Sequence, residues 1–167
     1  MSGSSEKTIR GSRPGSREMA FVVDSMLGSL AKYLRIMGYD TAYQPHYTDQ
    51  RIGELVGEGR VLLTRSRERA AHYENSILVD RDLVKDQLAV LDKTVGLTRD
   101  REAYFRRCIR CNALLEKAEE EFAREHVPDY VFAMQKDRIL FCPTCRRCYW
   151  PGTHRERMAA ILRDWGY

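Results

Sequence analysis

The chain has 167 residues, of which 43% are hydrophobic and 31% charged, with a formal net charge of +4. That balance belongs to a globular protein with room for one ordinary core and a small satellite. No apolar run approaches the roughly 18 residues that span a bilayer, and no apolar leader opens the chain, so neither a membrane span nor a secretory signal is expected.

Residues 1–18 are rich in Ser, Gly and Arg and lack apolar periodicity, which reads as a disordered tail. Order is expected from Ala20-Phe21-Val22-Val23, a continuous apolar run that suits a strand buried on both faces and ends at Asp24. A helical pattern follows from Met26 to Met37. There Leu27, Leu30, Ala31 and Leu34 form one apolar stripe, and Gly38 supplies a left-handed stop. Tyr39–Tyr43 reads as a short strand. Thr48-Asp49 caps a helix that reaches Val56 and ends at Gly57 and Gly59. Val61-Leu62-Leu63-Thr64 is a second buried-type strand, followed by Arg65-Ser66-Arg67 and a short helix. Ile77-Leu78-Val79 is a further strand ending at Asp80, and Asp82 opens a helix with Val84, Leu88, Leu91 and Val95 in register.

This alternation of strand and helix predicts an α/β fold, a mostly parallel sheet with helices on its faces. Ligands of such sheets bind beyond the carboxyl ends of the strands. The residues to watch are therefore Asp24, Arg65-Ser66 and Asp80, with Asp40 and Asp49 near the second strand. Asp24 and Asp49 also stand where helix N-caps stand, and Asp40 and Asp80 where turn aspartates are common.

From about residue 100 the pattern changes. Cys108-Ile-Arg-Cys111 and Cys142-Pro-Thr-Cys145 are two thiol knuckles separated by residues 112–141. A two-residue spacer lets both sulfurs of a knuckle point at one ion, and two such knuckles supply the four ligands of a tetrahedral Zn²⁺. The alternative is a pair of redox dithiols. Cys148 is left over and reads as a small packing residue. The gap is longer than a simple ribbon needs, so it must carry structure of its own. Leu114–Glu125 is helix-like in composition. Tyr130–Met134 and Ile139–Phe141 read as the two arms of a hairpin that delivers the second knuckle. A final amphipathic helix carries Met158, Ile161, Leu162 and Trp165. The division expected is a tail over 1–18, an α/β domain over 19–100 and a zinc module over 101–167. All five cysteines follow residue 107 in this knuckle pattern, which fits a reducing cytoplasm. The basic residues cluster as Arg65, Arg67 and Arg69, as Arg106, Arg107 and Arg110, and as Arg146 with Arg147, leaving a polyanionic partner open. Tyr149 and Trp150 either stack on bases or seal the zinc module, and His154 reads as a hydrogen-bonding residue rather than a ligand.

The run from Asp24 through Leu30-Ala31-Lys32-Tyr33-Leu34-Arg35 to Gly38-Tyr39-Asp40-Thr41 resembles the opening of the Mut7-C family. So do Leu62-Leu63-Thr64-Arg65, the two knuckles, and Tyr149-Trp150 with Gly152 and His154, in that order. The resemblance covers about residues 20–165. It implies a PIN-like domain fused to a zinc ribbon and acting as a metal-dependent ribonuclease in the cytoplasm. Asp24 would be the main ligand of a catalytic Mg²⁺ or Mn²⁺, with Asp40 and Asp49 in support, and Arg35, Arg65 and Arg67 would contact phosphates of the RNA. Hard divalent ions favour anionic oxygens, which is why such a site needs clustered carboxylates. The family pattern usually shows Asp where this chain has Ser66, leaving the cluster one charge short. A non-catalytic RNA- or protein-binding module is the rival reading.

Overall fold

A computed structural model describes residues 19–167, and the segment read as a tail lies outside them. The described residues fall into two units, one ending at Phe105 and the other running from Arg106 to Tyr167. None of their helices is long and apolar enough to cross a membrane.

The first unit is built on four short strands, β1 (Ala20–Val23), β2 (Asp40–Tyr43), β3 (Val61–Thr64) and β4 (Ser76–Leu78). All pairings are parallel and the order is β2-β1-β3-β4. Val22 lies opposite Ala42 on one side and Leu62 on the other. The chain therefore steps outward from β1 to β2 and then crosses back to β3. That reversal makes the carboxyl ends of β1 and β3 the switch point of the sheet, where a crevice opens.

Helices α1 (Gly28–Ile36), α2 (Asp49–Gly57), α3 (Arg67–His72) and α4 (Val84–Val95) connect and cover the strands. The stripe Leu27, Leu30, Ala31 and Leu34 is fully buried, and α1 packs against α4, whose Leu88, Leu91 and Val95 are buried as expected. On α2, Ile52 and Leu55 pack with Val22 and Leu62. Each such fully buried aliphatic side chain contributes about 1.5–3 kcal/mol of transfer free energy. Two helix starts differ from the pattern. Asp24 caps a 3₁₀ turn at Ser25–Leu27, so the α-helix proper begins at Gly28. Asp82 does not open α4: its carboxylate pairs with Arg65, and Leu83 precedes the helix instead.

The second unit holds a sheet of three two-residue strands, β5 (Glu116–Lys117), β6 (Leu140–Phe141) and β7 (Cys148–Tyr149), antiparallel in that order. Between β5 and β6 lie α5 (Glu120–His126) and α6 (Asp129–Gln135), which is the structure that the long inter-knuckle gap demanded. Two expectations are corrected here. Leu114–Glu125 is helical only from Glu120, because Leu114 bridges Arg107 and β5 pairs with β6. Tyr130–Met134 is not a hairpin arm but part of α6. Its buried residue, Val131, continues the four-residue spacing of Ala123 and Val127, whereas Tyr130 and Met134 face solvent. The composition favoured a strand, and the core contacts chose a helix. Pro128 precedes α6, where its missing N–H costs nothing. Helix α7 (Thr153–Asp164) buries Met158 and Leu162.

Gly38 closes α1 at φ +95°, and a Cβ there would lie 2.7 Å from the Ala103 carbonyl oxygen. Gly38→Ala should therefore lower unfolding free energy by about 1–3 kcal/mol. Gly57, in α2 with open space around it, offers the contrast: Gly57→Ala should raise stability by about 0.5–1 kcal/mol. Urea titration of both variants checks the pair, and loss of stability in both would contradict the contrast.

Candidate active site and metal centre

At the switch point, Asp24 follows β1 and is 6% exposed. Its backbone N–H donates to the Leu63 carbonyl (2.9 Å), extending the β1–β3 ladder by one rung. The side chain meets four donors from three residues, one of them the Ser25 hydroxyl at 3.2 Å from Oδ1. The Thr64 hydroxyl donates to Oδ2 (2.7 Å), and the Ser25 N–H (2.7 Å) and an Arg69 guanidinium nitrogen (2.8 Å) donate to Oδ1. Burial alone would push this carboxyl up, but the Thr64 hydroxyl, the Ser25 N–H and the Arg69 charge together hold it below its ordinary value of 3.8. Asp24 is thus a buried, permanently ionised carboxylate at neutral pH.

Arg69 joins it to a second predicted residue. Its other terminal nitrogen pairs with Asp49 at 2.7 Å, so one guanidinium spans the two carboxylates. Arg69 was read only as part of a basic cluster; its four-residue offset from Arg65 carried no signal that it would turn inward. Ser66 caps α3, its hydroxyl accepting from the Arg69 N–H at 3.2 Å. Arg65 pairs with Asp82 at 2.7 Å and Arg67 with Asp80 at 3.2 Å, both on the exposed rim of the same edge.

Two predicted residues are not brought there. Asp40 opens β2, opposite Ala20, and so lies at the amino edge of the sheet, where Arg60 pairs with it at 2.6 Å. A four-residue parallel strand spans about 13 Å, too far for Asp40 and Asp24 to share an ion. Arg35 is 4% exposed and donates through Nε to the Thr41 carbonyl (2.9 Å), which ties α1 to β2 rather than presenting a charge to solvent.

As the side chains stand, these groups present no open cluster of carboxylates to a Mg²⁺ or Mn²⁺ ion. Both Asp24 oxygens already accept hydrogen bonds, Asp49 is held by Arg69, and Ser66 is neutral. Among the described residues, the one grouping with metal-binding geometry is elsewhere. Arg69 lies between the two carboxylates and pairs with both.

That grouping is Cys108, Cys111, Cys142 and Cys145, whose sulfurs all lie within 4.8 Å of one another. Cys108–Cys145 and Cys111–Cys142 are 3.6 and 3.3 Å apart. Tetrahedral Zn²⁺ with Zn–S of about 2.3 Å sets sulfurs about 3.8 Å apart, so the set fits zinc after a small expansion. The two knuckles are built alike. In each, the first Cys N–H donates to a carbonyl five residues on, and its own carbonyl accepts from the N–H four residues on. In each, the N–H of the second Cys donates to the sulfur of the first at 3.4 Å. The residue after the second Cys is left-handed in both, Asn112 at φ 73° and Arg146 at φ 58°. Tyr149 adds a hydroxyl 3.0 Å from the Cys108 sulfur. Burial opposes ionisation of Cys108, yet the Tyr149 hydroxyl and the Cys111 and Arg110 N–H groups bring it down to about 6. Burial and the adjacent sulfurs push Cys111 up to about 12. Sulfurs this close ionise together only with a cation among them. Cys148 is outside this set and packs on the cluster of Ala118, Ala123, Val127, Val131 and Ile139, the packing role expected for it. His154 is exposed at the start of α7 and outside the thiol set.

A parallel α/β sheet with a buried carboxylate at its switch point, followed in the chain by a four-cysteine cluster of zinc-ribbon geometry, defines a zinc-ribbon α/β protein. The chain belongs to the Mut7-C RNAse domain family, whose model matches residues 19–162. Comparison with curated proteins finds no match.

Two predictions follow from these geometries. With the four thiolates holding zinc, Cys111→Ser should reduce metal content from about one zinc per chain to a small fraction and loosen the ribbon, whereas Cys148→Ser should keep the metal. Elemental analysis of purified protein measures this, and equal loss from both variants would overturn the ligand assignment. At Asp24 the folded-state value is depressed, so its contribution to stability is complete above pH about 4 and is lost as pH falls through the lower folded value. Denaturation series from pH 6 to pH 2 should therefore show a shallower acid decline for Asp24→Asn than for the native chain.

Proposed function

We propose that this protein hydrolyses RNA phosphodiester bonds at the carboxyl edge of its parallel sheet, with Asp24 at the reaction centre. The observation that carries the reading is Asp24 itself. A carboxylate kept ionised at 6% exposure, at the switch point of an RNase-family sheet, is costly to bury and is held by donors from three residues. The RNase family of the chain supplies the substrate class.

The residues divide the work as follows. Arg65 and Arg67 lie on the rim, where guanidinium forks can exchange their aspartate partners for phosphate oxygens. Arg69 places a positive charge beside Asp24 and lies where it can meet the charge that develops on a phosphate under attack. Asp24 orients the attacking water through Oδ2. As the water oxygen bonds to phosphorus and the P–O bond to the leaving sugar oxygen breaks, the water's proton passes by way of a phosphate oxygen to that leaving oxygen. The depressed proton affinity of Asp24 suits orientation better than proton storage. The metal dependence implied by the resemblance is not carried by these donors while Arg69 holds both carboxylates. The arrangement of the thiols in two metal-binding knuckles supports a reducing cytoplasmic setting.

A second reading has its own observation. Arg69 neutralises Asp24 and Asp49 in place, as it would in a site that binds RNA without cutting it.

One set of assays separates the two. Zinc-loaded protein is incubated with single-stranded RNA, with and without added millimolar Mg²⁺ or Mn²⁺. The hydrolase reading expects slow cleavage that Asp24→Asn lowers at least about 100-fold, with Arg69→Ala lowering it comparably when no Mg²⁺ or Mn²⁺ is added. Ser66→Asp keeps the α3 cap, since Asp caps as well as Ser, and adds a carboxylate. Combined with Arg69→Ala it should create a divalent-ion requirement that the native chain lacks. Absence of Asp24-dependent cleavage in every variant, with RNA still bound, selects the binding module.

A further inference from the structure

The ribbon carries a second cavity that the reaction centre does not use. It has a volume of about 500 Å³, and its walls include Arg110, Arg146, Arg147, His126, Tyr149 and Trp150. No acidic residue lines it. A neighbouring cavity shares Arg146 and adds Lys117, but Glu116 and Glu119 line it as well, so the acidic residues fall in that cavity and not in the first. We propose that the acid-free cavity binds one nucleotide of single-stranded RNA, its phosphate on the arginines and its base against Trp150.

Three observations combine. First, the size: about 500 Å³ lies within the range of small-ligand sites and admits one nucleotide. Second, the cations are held in place by the metal knuckles. Arg110 belongs to the first knuckle, and Arg146 and Arg147 directly follow the second, so the tetrathiolate that closes the ribbon also brings them together. Arg146 is further fixed by its left-handed backbone and by lying 4.7 Å over the Phe122 ring, which in turn stacks on His126 at 3.9 Å. A guanidinium oriented by its ring face keeps its N–H edge for a phosphate. Third, Trp150 lines the same cavity while packing on the ribbon core, so one large aromatic surface is rigid and near three cations. Stacking plus phosphate contact is how unpaired bases are held, and bases in a duplex are not available to it. The ligand class rests on the RNA reading above, but the site is in the ribbon and does not depend on cleavage.

The test uses full-length, zinc-loaded protein in an Asp24→Asn background, so that RNA stays intact and the cavity is scored by binding alone. The probe is a fluorescein-labelled ten-residue oligouridylate. Arg146→Asn with Arg147→Ala is the main variant, because Asn tolerates the left-handed backbone and occupies the equivalent place, Asn112, in the other knuckle. Affinity should fall at least ten-fold at low salt, and the slope of log K against log salt should shrink by about 1.4 for two lost phosphate contacts. Trp150→Leu should weaken binding several-fold while Trp150→Phe keeps most of it. In a Trp165→Phe background, where Trp150 is the remaining tryptophan, oligouridylate should quench its emission. Zinc content is measured on every variant; where an arginine variant loses zinc, Trp150→Leu and the quenching decide. Unchanged affinity and slope in zinc-replete arginine variants, or no quenching, overturns the proposal. So does equal competition by duplex RNA, or by an acidic peptide of matched charge, which would make the cavity a protein-docking site. Loss of cleavage in the native chain with these binding results intact would remove the hydrolase reading and leave the nucleotide site standing.

Discussion

Burying the Asp24 carboxylate is the constraint around which the first unit is arranged. An ionised carboxylate taken from water without partners costs several kcal/mol, and the fold meets that cost from three directions. Ser25 supplies an N–H from the turn after β1, Thr64 a hydroxyl from the end of β3, and Arg69 a charge from α3. Each donor arrives only if its element is in register, so the carboxylate checks the alignment of β1, β3 and α3 at once. The same arrangement leaves Asp24 at the one place where the sheet order reverses and a substrate can enter.

The two units rely on different physics. The sheet unit is held by aliphatic packing on both faces of β1 and β3, which needs no cofactor. The ribbon has only three very short strands and a small cluster around Val131 and Ile139, so it depends on the thiol centre for definition. The buried carboxylate and the basic cavity thus belong to separately stabilised parts of one chain.

Most of the first unit was legible because its signals are local. Apolar runs gave the strands, and the 3.6-residue stripe gave α1 and α4. The parallel sheet followed from the alternation alone. In the ribbon the knuckle spacing gave the thiol set, but Tyr130–Met134 was misread because β-branched and aromatic composition outweighed a stripe that only becomes visible when Ala123, Val127 and Val131 are counted across Pro128. The acidic edge was half legible. Asp24 and Asp49 come together, whereas Asp40 sits at the far edge because strand direction, not proximity in sequence, decides which end a residue occupies. Arg69 was missed as the bridging group because nothing in a short charged helix says which arginine turns inward. Only the positions of two carboxylates in space do.

The likeness of the two knuckles has a consequence for how the ribbon responds to its surroundings. Each knuckle is a self-contained half-site with its own backbone bonds, and residues 112–141 form the loop that joins them. A shared ion turns this stretch into a closed ring, a cross-link made by coordination instead of by oxidation. Unlike a disulfide, such a closure has a strength that varies with the free concentration of its ion: above the dissociation constant, each tenfold rise adds about 1.4 kcal/mol to the closed form. A ribbon closed by zinc in this way would tighten when the ion is plentiful and slacken when chelators take it.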